Sequence, residues 1–282
     1  MRIDSHHHLW DLAISPRDWL AGEALAGINR TFSMDDFYKE RASAGIDQSI
    51  LVQTIPDYEE MREFFAVAAE HESVIGVVAW IDMSDAGCFQ KLEKYLDIPG
   101  AQKLVGIRDG AQGRADANWL SGDQIVANAR KLAEKELVFD LLVDPSNLAA
   151  STQLVTRCPD TTFVLDHIGK PNIAKGDQGE LAAWSHSINE LAKNKNVYCK
   201  VSGMVTEADW KSWEEKDFNP YFEVVLSAFG VDRIMYGSDW PVCKLAASYE
   251  QVAKLAEYLI QGLSNDEKEK FWSLTAKKAY EI

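Results

Sequence analysis

Eight short apolar or β-branched runs recur along the chain, and each is followed by a polar or glycine-containing segment and then by a stretch with helical periodicity. The runs are Arg2–His6, Ser49–Gln53, Val74–Ile81, Leu104–Arg108, Val138–Val143, Phe163–His167, Val197–Val201 and Arg233–Ser238. Strands separated by helices pair in parallel, because the crossover returns the chain to the same end of the sheet. Eight such units within 282 residues predict a single (β/α)8 TIM barrel over residues 1–282 rather than a two-domain doubly wound protein. Ser121 is read as the cap of one helix, with Ile125, Val126, Ala129, Leu132 and Ala133 on its buried face. Further helices begin near Ser33, Asp57, Ser146, Gly179 and Asn219, and two more follow the eighth run at Tyr249–Gln261 and Asp266–Glu281. Two long inserts, Asp11–Thr31 and Asp109–Leu120, follow the first and fourth strands, where a barrel carries its active-site lids.

Composition narrows the partners. With 29 Lys+Arg against 44 Asp+Glu the formal charge is −15, so the average surface field repels nucleic acid and anionic membrane. The four cysteines, Cys88, Cys158, Cys199 and Cys243, are too far apart for a zinc-knuckle spacing and read as reduced, mostly buried thiols. No apolar run is long enough to span a bilayer, and the N-terminus lacks the pattern of a secretory signal; the expectation is a cytoplasmic protein. The three histidines near the start run into Leu9-Trp10-Asp11 without a linker and are read as native sequence. No GxGxxG, GxxxxGK[ST] or GxSxG pattern occurs, which removes sequence support for nucleotide cradles and a serine nucleophile elbow.

Candidate chemistry sits at strand ends. In Asp4-Ser5-His6-His7-His8 alternate side chains share a face, so His6 and His8 point together over Asp4, which is placed to fix a ring tautomer, and His7 is opposed. An HxH pair on a strand suits a divalent metal, although two histidines are as readily held by hydrogen bonds alone. The sixth strand ends on His167, with Asp166 facing away and serving a loop, and the eighth leads into Asp239. A single histidine there is commonly structural, and an aspartate there is commonly a helix cap. Convergence favours function: three imidazoles and a carboxylate at one barrel mouth are what a hydrolase needs around a water. Lys200 shares an inward face with Ser202, and an inward lysine is costly unless paired or used.

The segments "IDSHHHLWD", "VLDHIGKP" and "MYGSDWPVC" together resemble the amidohydrolase superfamily, within it the sugar-lactonase branch of L-fuconolactonases, L-rhamnonolactonases and pyrone-dicarboxylate lactonase. The likeness spans nearly the whole chain, and "CKVSGMVTEADW" points to the L-fucono-1,5-lactone type. The resemblance implies opening of a small-molecule sugar lactone, with Asp239 as general base and His6, His8 and His167 polarising the carbonyl. These four residues either hold one optional Zn-like divalent ion or act without metal. It implies Arg108 on the substrate. Many relatives have a histidine directly after this arginine, where this chain has Asp109. Gln53 and Lys200 are expected on sugar hydroxyls, with Trp10 and Trp240 as apolar walls and Trp80 in the core. Lys170 is either a further hydroxyl contact or a solvated loop residue. Two other readings stay open: metal-dependent amide hydrolysis or decarboxylation on the same scaffold, and a non-catalytic barrel that binds a sugar acid.

Overall fold

A computed structural model describes residues 1–282. Each run forms a strand: β1 (Ile3–His7), β2 (Gln48–Val52), β3 (Val74–Ala79), β4 (Leu104–Arg108), β5 (Val138–Leu141), β6 (Phe163–Leu165), β7 (Val197–Val201) and β8 (Ile234–Tyr236). All neighbours pair in parallel and in chain order. The ring closes just beyond β8, where His7 bridges Trp240 and the Asp239 amide donates to the His6 carbonyl at 2.8 Å. The architecture is a (β/α)8 barrel.

Outside the ring lie α1 (Met34–Ala42), α2 (Glu60–Glu70), α3 (Cys88–Glu93), α4 (Asp123–Glu134), α5 (Leu148–Arg157), α6 (Gln178–Ala192), α7 (Asn219–Phe229) and α8 (Tyr249–Leu259). Ser33 caps α1 with a reciprocal bond to Asp36, and Ser248 does the same for α8 with Gln251. Helix α4 buries Ile125, Val126, Ala129 and Leu132, but Gly122 is its cap; the Ser121 hydroxyl donates to the Asn118 carbonyl instead. After α9 (Asn265–Glu269) and one π-helical turn, α10 (Thr275–Tyr280) packs Ala276, Ala279 and Tyr280 against Ile3, Val105, Val138 and Tyr198, plugging the end where the strands begin. No helix is long and apolar enough to cross a membrane, and the four cysteines are buried and unpaired.

Three local departures from regular strand decide what faces the barrel mouth. The β1–β2 register shifts between Asp4 and His7, so the alternation that puts Asp4 beneath the histidines is broken. Strand β6 stops at Leu165, and His167 (φ 53°) and Ile168 (φ 50°) are left-handed. Beyond β8, Asp239 is left-handed as well (φ 57°). Such conformations cost about 1–3 kcal/mol each in non-glycine residues and mark places where the fold aims a side chain.

Candidate active site

Three imidazoles converge on one carboxylate oxygen. His8 Nε2 lies 3.4 Å, His6 Nε2 3.8 Å and His167 Nε2 3.9 Å from Asp239 Oδ1, and the two Nε2 atoms of His6 and His8 are 3.1 Å apart. His8 Nδ1 bonds the Val52 carbonyl at 2.7 Å, an acceptor only, so that nitrogen carries the proton. In the neutral ring Nε2 then presents a lone pair to an anionic oxygen, and two acceptors facing each other call for a cation between them. The spacings suit one. Ligands about 2.0–2.1 Å from a tetrahedral Zn²⁺ stand roughly 3.3 Å from one another. His6, His167 and Asp239 offer ligand atoms within 4.8 Å of one another, and His8 Nε2 approaches two of them. His6, His167 and Asp239 therefore have the chemistry and spacing to hold one divalent ion, with His8 beside two of them.

Electrostatics keep this donor set in its ligating form. Burial holds His6 well below the usual histidine value and pushes His167 down to about 4, leaving both neutral at pH 7.

Beneath the imidazoles lies a buried charged layer. Arg108 Nη1 donates to Asp166 Oδ2 at 3.0 Å; Lys200 Nζ lies 2.5 Å from Asp140 Oδ2 and 3.0 Å from Asp166 Oδ1. Both partners also reach His6 Nδ1, Lys200 at 3.1 Å and Asp166 at 3.2 Å. Three expectations change here. Asp166 does not serve a loop: with β6 ending one residue earlier, its carboxylate turns inward against His6 and Arg108. Lys200 is wholly buried and off the cavity wall, so it is not a sugar contact. Asp4 fixes no ring tautomer, since its carboxylate accepts from the Ser238 amide (2.9 Å) and hydroxyl (2.6 Å) and from Tyr249 (2.9 Å). It fastens β1 to the turn that carries Asp239.

Above the imidazoles opens a cavity of about 570 Å³, lined by His8, His167, Asp239, Arg108, Gln53, Lys170, Trp19 and Trp80 and by Gly110 to Arg114 except Ala111. Both long inserts contribute to it. Arg17 is buried and anchors the first, reaching Thr54 Oγ1 (2.7 Å), the Ser15 carbonyl (2.6 Å) and Glu60 (3.1 Å). Two residues on, Trp19 faces the cavity.

The aromatic assignment is corrected. Trp10 packs edge-on against Phe32 and donates to the Arg30 carbonyl, and Trp240 is fully buried against Phe32 and Phe37; neither lines the cavity. The left-handed turn at Asp239 sends the carboxylate to the mouth and the next indole outward. Trp80, read as core, stands half-buried on the wall because Asp109 holds its Nε1 at 3.0 Å. Asp109 also accepts from the Met83 amide (2.9 Å) and Arg114 (2.8 Å), while burial pushes its carboxyl up.

Comparison with known proteins agrees with this geometry. The amidohydrolase family model matches residues 3–282. An L-fucono-1,5-lactonase from Burkholderia multivorans is 33% identical over 290 residues, covering 100% of this chain and 96% of the relative. A second protein of that name, from Burkholderia ambifaria, is 33% identical across 88% of this chain and 83% of its own length. The crystal structure of a Burkholderia multivorans amidohydrolase with bound zinc superposes with a TM-score of 0.93 at 31% identity, covering 100% of this chain and 99% of that one. The chain belongs to the amidohydrolase family.

Proposed function

We propose that the protein hydrolyses a neutral sugar lactone, of the L-fucono-1,5-lactone type, to its open sugar acid. The observation that carries this reading is the meeting of His6, His8, His167 and Asp239 at the mouth of the barrel, beneath a cavity of about 570 Å³. A divalent ion bound there would supply a positive charge to polarise the lactone carbonyl and make a water more acidic. The residues do the rest. Asp239 accepts the water's proton and returns it to the departing ring oxygen. Asp109, the other carboxylate on the wall, is engaged by three donors and is not free for that task. Arg108 spends Nη1 on Asp166 and, at 3.3 Å, on His6 Nε2, and Nη2 on the Gln53 carbonyl, so it lines the cavity as a fixed positive charge toward a substrate oxygen. Gln53 is anchored on the wall by donating to the Arg108 carbonyl at 3.1 Å. Trp19 and Trp80 offer apolar faces to the sugar's C–H groups.

Charge pairing supports a neutral substrate. The wall has three cations, and each is already matched: Arg108 by Asp166, Arg114 by Asp109 and Lys170 by Glu207. A dicarboxylate would find no unpaired side-chain cation on this wall. The test follows acid release with a pH indicator across neutral aldonolactones and carboxylated lactones, and amine release with an amine-reactive reagent across simple amides. Turnover of neutral six-carbon lactones with little on the carboxylated ones supports the reading; amide cleavage without lactone cleavage overturns it.

A further inference from the structure

Lys200 and Asp140 take no part in the chemistry above, yet they occupy the centre of the barrel, where an unneeded charge pair is expensive to bury. Their surroundings form one continuous strut. Tyr280, from the helix that plugs the barrel floor, donates to Asp140, with its oxygen 2.8 and 2.9 Å from the two carboxylate oxygens. Asp140 Oδ2 meets Lys200 Nζ at 2.5 Å, and the ammonium also sits 5.5 Å from the Tyr280 ring centre. Lys200 then reaches Asp166 Oδ1 at 3.0 Å and His6 Nδ1 at 3.1 Å. Asp166 in turn meets Arg108. The layer holds two cations, Lys200 and Arg108, and two carboxylates, Asp140 and Asp166, so it is neutral as a unit; removing any member leaves an odd charge in a dry interior.

We infer that Lys200 is a positioning residue, which with Asp140 and Tyr280 forms a strut from the barrel floor that aims His6 Nε2 at the ion-binding position. The ring has few alternatives. For Nε2 to ligate, the neutral ring carries its proton on Nδ1, which then donates to Asp166 Oδ1 at 3.2 Å, the carboxylate oxygen that Lys200 holds at 3.0 Å. A ligand ring fixed from behind loses less freedom when an ion binds, and losing such outer partners typically weakens metal affinity about 10–100-fold. The strut also explains why a tyrosine from the last helix is buried among strand residues: it is the strut's foot.

The inference rests on an ion being held at His6, and the test separates the two. Zinc affinity is measured by competition with a chromophoric chelator, a readout independent of lactone turnover. Lys200→Met removes the centre of the strut and leaves an unmatched carboxylate, so it is paired with Tyr280→Phe, which deletes one hydroxyl far from the cavity and keeps the ring. With folding checked by circular dichroism, Tyr280→Phe is expected to weaken zinc binding several-fold, on the order of 3–10-fold, and to lower kcat with KM unchanged. Lys200→Arg is expected to recover affinity relative to Lys200→Met. Zinc affinity in folded Tyr280→Phe equal to that of the unmodified protein overturns the strut alone; no zinc uptake by the unmodified protein overturns the ion-binding reading and the strut with it.

Discussion

Replacing Asp239 with asparagine separates chemistry from architecture at the point where the two are most closely joined. The backbone there is left-handed, at φ 57°, and its amide and carbonyl hold the His6 carbonyl and the Cys243 amide, each at 2.8 Å. Asparagine tolerates that conformation about as well as aspartate, so the turn and the ring closure survive, and the stability change stays within about 1 kcal/mol. What is lost is the proton acceptor and one anionic ligand. General-base removal costs roughly 10²–10⁴ in rate. At 1.36 kcal/mol per decade that is about 3–5 kcal/mol of barrier. Because the amide keeps the shape of the cavity, KM is expected to stay within about threefold while kcat carries the loss. The assay is indicator-monitored hydrolysis of L-fucono-1,5-lactone, with zinc content measured on the same sample. Asp109→Asn is the control: it loosens Trp80 and Arg114 and should raise KM while sparing kcat. A kcat for Asp239→Asn within about threefold of the unmodified protein, or a larger kcat loss in Asp109→Asn, refutes the base assignment.

Other consequences follow from single contacts. Trp19→Ala removes an indole that is 38% exposed and carried by the first insert, so folding should be unchanged while KM rises by about 5–30-fold, measured by initial rates. Arg17→Met breaks the insert's anchor and strands Glu60, at a cost of about 3–5 kcal/mol confined to that region; limited proteolysis should cut within residues 11–31 first, and an unchanged cleavage pattern contradicts the anchor. His7 is stacked on Phe37 at 4.0 Å with both ring nitrogens unpartnered, and burial holds it well below the usual value. The unfolded ring takes up a proton near pH 6.5 and the folded one does not, so stability is lost as pH falls, by up to about 1.4 kcal/mol per unit. His7→Phe should narrow the difference in urea stability between pH 7.5 and 5; an unchanged difference contradicts the burial of a neutral ring.

The barrel is readable because its signal is repeated: eight short apolar or β-branched runs, each followed by a helical stretch, leave little else for the chain to form. His6, His8, His167 and Asp239 were readable because they stand at strand ends, where only the strand's position has to be right. The parts that depend on exact side-chain direction were not. Asp4 and Asp166 were misplaced by strict alternation, which a register shift in β1 and left-handed residues after β6 interrupt. Trp240 follows Asp239 directly in sequence, which suggests a wall beside it, yet one turn at positive φ sends the two side chains opposite ways. The strut had a sequence signal that alternation alone does not join: Asp140 and Lys200 are the charged residues within the apolar runs "VFDLL" and "VYCKV", on strands whose inward faces meet. Their pairing with Tyr280, 140 residues further along than Asp140, comes only with the folded chain.

The most direct test of a divalent ion acting with Asp239 on a neutral lactone is a zinc titration of turnover. Protein stripped by chelator is assayed on L-fucono-1,5-lactone as zinc is returned in known amounts. The proposed site predicts little activity in the stripped protein and recovery that saturates at one zinc per chain, with Asp239→Asn inactive throughout. Full turnover by stripped protein, or no lactone opening at any zinc level, would contradict it.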